Sequence, residues 1–153
     1  MDDVLLNKAA TIERCLKRIE EEYRGHEEEL ETNYTRQDAI VLNLLRACEA
    51  AIDMAMHVVR LKRLGLPQTS REAFALLEKA GLLSPSLSQR MQAMVGFRNV
   101  AVHDYQALSL PILHRILKER LGDFLVQRNA TPNPPGPRSL NGRWPFPLPP
   151  PRP

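Results

Sequence analysis

Within eight consecutive positions, Arg98-Asn99-Val100-Ala101-Val102-His103-Asp104-Tyr105, the chain gathers a guanidinium, a carboxamide, an imidazole, a carboxylate and a phenol. This set suits a phosphodiester. The planar fork of Arg98 can grip phosphate oxygens in two places and offset charge that builds up in a transition state. His103 belongs to the residue type that titrates near neutrality, so it can take the proton of a ribose 2′-hydroxyl or return one to the leaving oxygen. One imidazole does not easily serve both ends of that reaction, so a second copy of the site from a symmetric dimer, or Tyr105, is needed to complete it. The chemistry requires no metal or other cofactor.

Geometry limits how these side chains can meet. On an uninterrupted helix His103 lies roughly 140° around the axis from Arg98, and Tyr105 about 200° from His103. Convergence therefore predicts that the helix unwinds here, with an extended stretch near 103–105 that places His103 and Tyr105 on one side and turns Asp104 outward. A bland alternative fits the same residues, in which the polar side chains at a helix hairpin only cap carbonyls and bond one another.

The elements that must position this stretch are all helical. Leu5, Ala9, Ile12, Leu16, Ile19 and Tyr23 recur at steps of three and four and predict an amphipathic helix over about 3–24. Thr35 followed by Asp38 reads as a capping box opening a long central helix, with Ile40, Leu44, Ala47, Ala51, Met54, Val58 and Leu61 on one stripe, ended by Gly65 and Pro67. Thr69 and Glu72 repeat the capping pattern before a short helix that Gly81 closes, and Ser84-Pro85 opens a fourth helix running into Arg98. Ser109 caps a fifth, apolar through Leu113, Ile116, Leu117, Leu121, Phe124 and Leu125 to about residue 128. The expected fold is all-α, an antiparallel bundle of about five helices, with the fourth and fifth forming a hairpin around 99–108.

Residues 1–130 form the expected domain, and residues 131–153 a tail holding ten of the thirteen prolines, expected to be disordered, with a docking peptide as its functional reading. The isoelectric point near 9.1 comes from that tail. Residues 1–130 carry 18 basic and 18 acidic side chains, split into a net −5 over residues 1–31 and +5 over residues 32–130. Such polarity can steer a polyanion toward the C-terminal half of the domain. Cys15 and Cys48 lack metal-binding spacing and read as small buried apolar side chains. His57 and His114 fall in helical segments as ordinary surface or core residues, and His26 sits among glutamates as a solvated one. No apolar run of about 18 residues and no basic-then-apolar leader occurs, which predicts a cytoplasmic protein without a membrane span.

Arg98-Asn99-Val100-Ala101-Val102-His103, with its continuation Asp104-Tyr105, resembles the Arg-Asn-x-x-x-His motif of the HEPN superfamily, and specifically the HepT toxins of HepT/MntA toxin–antitoxin systems. The resemblance covers roughly residues 1–130. It implies an all-helical fold, a homodimer with two motifs facing across the interface, and metal-independent endoribonuclease activity that arrests growth. Arg98 and His103 would be catalytic, Asn99 would position substrate, and Asp104 would be a motif neighbour. Tyr105 matches the tyrosine to which an MntA-like nucleotidyltransferase antitoxin transfers AMP, blocking the site with bulk and charge. Two rival readings stand beside this one. In the first, a noncatalytic helical subunit presents nucleotide or substrate to a nucleotidyltransferase; in the second, an adaptor acts through the proline tail.

Overall fold

The computed structural model describes residues 2–124. The proline-rich segment, the boundary at 130 and the last expected turn of the fifth helix lie outside the described residues.

α1 (Asp3–Tyr23) buries the expected stripe, Leu5, Ala9, Ile12, Leu16, Ile19 and Tyr23, with Cys15 added. Asp2 caps it by accepting from the amides of Val4 and Leu5. After a 3-10 turn at Glu27–Glu29 comes α2 (Tyr34–Lys62), 29 residues long, the central element of the fold. Its cap is not the Thr35–Asp38 box. Asn33 accepts from the Arg36 amide, so the helix begins ahead of Thr35 and leaves the Asp38 carboxylate free for another role. Both registers satisfy local capping chemistry, and tertiary contacts choose between them. The buried Gln37 amide donates to the Leu30 carbonyl at 2.9 Å, and Ile40 is buried one turn on. At the other end the helix stops at Arg63, which adopts φ +53, ahead of Gly65.

α1 and α2 run antiparallel. His57, late in α2, bonds Asp2 at 2.7 Å, Lys8 pairs with Asp53 at 2.8 Å, and Arg36, early in α2, donates to the Glu22 carbonyl at 2.8 Å. α3 (Ser70–Lys79) begins as expected with Thr69 accepting from the Glu72 amide, and Phe74 and Leu77 enter the core. α4 (Pro85–His103) is capped by Ser84 with Pro85 in its first turn, also as expected. The buried Ser88 hydroxyl donates to the Phe74 carbonyl, tying α4 to α3. Ser109 caps α5 (Leu110–Arg115), which continues through a π-helical turn at Ile116–Arg120. Arg90, near the start of α4, meets Asp123 at 3.0 Å, so the segment after α4 returns antiparallel to it. Leu113, Leu117 and Phe124 close the core from that side.

The connection between α4 and α5 is shorter than the expected 99–108. Helix persists through Asn99–His103, Asp104 alone leaves it, and Tyr105–Ala107 form a 3-10 turn. Phe97 and Ala101 hold the last turns down on the core, and the Asp104 amide closes them on the Val100 carbonyl at 2.8 Å. Both cysteines are free and buried, and burial pushes the Cys48 thiol up to about 12. There is no strand among the described residues, and none of their helices is long and apolar enough to cross a membrane.

Candidate active site

Because α4 stays helical to His103, the extended reading of 103–105 is corrected: the motif is displayed along the last two turns of a helix and the 3-10 turn beyond it. Asn99 and His103, four apart, share an exposed face. Arg98, one position earlier, turns toward α2 and α3. Its Nη1 donates to Glu49 Oε1 at 2.6 Å and its Nη2 to the Ser70 hydroxyl at 3.3 Å, while Nε is buried without a hydrogen-bond partner among the described residues. The guanidinium is thus oriented by two side chains, one of them the carboxylate of Glu49.

Tyr105 lies past the Asp104 break and folds back toward the first turns of α2. Its hydroxyl donates to Asp38 Oδ1 at 2.8 Å. Partial burial, then the hydrogen bond to Asp38 and that carboxylate's charge, push the phenol up to about 12, so it stays protonated across the physiological range. Asp38 and Glu49 are eleven residues apart, three helical turns, and lie on the same face of α2. α4 runs past that face with Arg98 level with Glu49 and Tyr105 level with Asp38. Leu42 and Val102, both about half-exposed, lie on the same stretches of α2 and α4 between these two contacts. The structure therefore gathers the two ends of the motif onto one edge of α2, while Asn99, His103 and Asp104 remain exposed beside it.

Four residues at this site escaped the sequence reading. Glu49, Ser70 and Asp38 engage Arg98 or Tyr105 across 49, 28 and 67 positions. The fourth is Arg71, whose guanidinium lies where a Cβ on Gly96 would stand, at 2.7 Å, so glycine at that position lets a second guanidinium approach α4 two residues before Arg98. The i, i+11 spacing of two acids on α2 was the one signal available in the sequence.

The family model for HepT-like ribonucleases matches residues 12–130. The chain belongs to the HepT-like ribonuclease family. An mRNA nuclease HepT of Shewanella oneidensis is 47% identical over 124 residues, covering 81% of this chain and 92% of that protein. A crystal structure of a toxin–antitoxin with AMP-PNP aligns with a TM-score of 0.81 and 43% identity, covering 86% of this chain and 99% of that one. A tri-AMPylated HEPN toxin of Shewanella oneidensis in complex with an MNT antitoxin aligns with a TM-score of 0.81 and 45% identity, over 85% and 97% of the two chains. The expected family, the all-helical HEPN fold and the ribonuclease class that comes with HepT-like proteins are all borne out.

Proposed function

We propose that this chain is the toxin of a toxin–antitoxin pair, an endoribonuclease acting in the cytoplasm through Arg98 and His103 and silenced by AMP transfer to Tyr105. The observation that carries this reading is the placement of Arg98 and Tyr105 along one edge of α2 with His103 exposed beside them, in a chain 47% identical to an mRNA nuclease and similar in structure to an AMPylated toxin. Arg98 releases Glu49, binds the scissile phosphate and stabilises its developing charge. His103 takes the proton of the 2′-hydroxyl, the 2′-oxygen attacks the adjacent phosphorus, and the 5′-oxygen leaves. Asn99, on the same helical face as His103, positions the ribose–phosphate. The leaving oxygen is protonated by the His103 of a second copy, which makes the active species a homodimer. Residues 1–130 carry the reaction.

A nucleotidyltransferase antitoxin of the MntA type transfers AMP to Tyr105, placing a nucleotide and a negative charge two residues from His103. The test is RNA cleavage by the purified protein in EDTA, together with growth on induction. Wild type is expected to cleave and to arrest growth, and Arg98→Ala and His103→Ala to do neither. Cleavage by His103→Ala at the wild-type rate would remove His103 from the mechanism. An inert, harmless wild type that still binds the transferase would mark the chain as a noncatalytic subunit.

A further inference from the structure

If Tyr105 is the AMP acceptor, its hydroxyl must lose a proton as it attacks, and the structure already places a carboxylate on that proton. Tyr105 Oη donates to Asp38 Oδ1 at 2.8 Å. The helix does not need this carboxylate, since Asn33 caps α2, and among the described residues Asp38 makes no ion pair. We propose that Asp38 is the general base for its own chain's modification: the toxin, and not the transferase, supplies the group that accepts the Tyr105 proton. This rests on the reading of Tyr105 as the modified residue.

The step balances without further reagents. The Tyr105 oxygen forms a bond to the α-phosphorus of ATP held by the transferase, the bond from that phosphorus to the bridging oxygen of the β-phosphate breaks, pyrophosphate leaves, and the phenolic proton passes to Asp38 Oδ1. The phenol is held protonated in the resting protein, its ionisation pushed up to about 12, so proton removal must accompany attack. The product cannot keep this contact. Once esterified, the Tyr105 oxygen no longer has a hydrogen to donate, and the phosphodiester anion is repelled by Asp38. The nucleotide must then leave the α2 edge, and the exposed end of α4 that carries His103 is the adjoining surface.

The experiment mixes the full chain with a nucleotidyltransferase of the MntA type and ATP, and follows AMP addition by intact mass against time. Wild type, Asp38→Asn, Asp38→Ala and Tyr105→Phe are compared, with complex formation and melting temperature measured for each. Asparagine can still accept the Tyr105 hydrogen bond but does not take the proton. The expected result is an AMP-sized gain for wild type, none for Tyr105→Phe, and for Asp38→Asn a kcat lower by about 100-fold, the low end of general-base effects, with an unchanged KM for ATP. If the carboxylate served only to hold the tyrosine in place, Asp38→Asn would be modified within about threefold of wild type, and that outcome would overturn the proposal; Asp38→Glu, which keeps a base, should recover part of the rate. Wild type that gains no mass, or Tyr105→Phe that gains as much, would overturn the Tyr105 reading and this proposal together.

Discussion

Replacing Glu49 by glutamine should make the protein bind RNA more tightly. In the structure Glu49 neutralises Arg98 at 2.6 Å, so a phosphate reaching the guanidinium must first displace a like-charged carboxylate. The Glu49 side chain is 50% exposed and that of Arg98 21%, which places the pair among partly solvated ion pairs. Such pairs contribute roughly 0.2–1 kcal/mol, and the burial of Arg98 favours the upper end. About 1 kcal/mol corresponds to about fivefold in affinity. Glutamine keeps an oxygen that can accept from Arg98 Nη1, so the guanidinium stays oriented and only the competing charge is lost. Alanine removes the acceptor as well, leaving Nη1 unpartnered next to a buried Nε that already lacks one. The assay is fluorescence anisotropy of a labelled RNA, with each substitution placed in a His103→Ala background so that the probe survives. Glu49→Gln is expected to lower Kd by about two- to fivefold, and Glu49→Ala to fall short of that gain. An unchanged or raised Kd for Glu49→Gln would refute the view that Glu49 occupies the phosphate position of Arg98.

Tyr105 should titrate far above an ordinary tyrosine, with a midpoint near about 12 in an ultraviolet difference titration against Tyr105→Phe. Asp38→Asn should lower that midpoint but not to 10.0, because burial is the largest cause and survives the substitution; equal midpoints would show that Asp38 does not act on the phenol. The fold favours the protonated phenol, so this contribution to stability is complete below pH 10 and is lost as pH rises from there to about 12. At the other end of the domain, Asp2→Ala should cost about 1 kcal/mol at neutral pH through loss of the α1 cap. Burial opposes ionisation of Asp2, yet the hydrogen bonds from His57, Leu5 and Val4 and the charge of His57 hold it below its usual 3.8. Its contribution is therefore present above about pH 4 and vanishes as the solution is acidified through the lowered value. Urea denaturation at pH 7 and pH 3 checks this, and a difference between Asp2→Ala and wild type that persists undiminished at pH 3 would contradict it.

Most of the helical framework is legible in the sequence because its causes are local. Thr69, Ser84 and Ser109 cap their helices within three residues, and the apolar steps of α1 become its buried stripe without help from the rest of the chain. Where local rules offer two answers the sequence misleads. Asn33 and Thr35 are both competent caps, and the buried Gln37–Leu30 contact selects the first. The break expected before His103 failed for a similar reason, since Phe97 and Ala101 pack on the core and make helix the better state as far as His103. The π-helical turn at Ile116–Arg120 leaves no periodic trace in an apolar face that reads as one continuous helix.

For Arg98 through Tyr105, the sequence by itself determined which chemical groups are present, that they end one helix and precede another, and which family shares them. Only the tertiary structure decided what those groups touch. Glu49 meets Arg98 and Asp38 meets Tyr105 because α2 and α4 run antiparallel and bring together positions 49 and 67 residues apart. Such pairings depend on how two helix faces register against each other over three turns, a property of side-chain packing that no local pattern in either helix encodes.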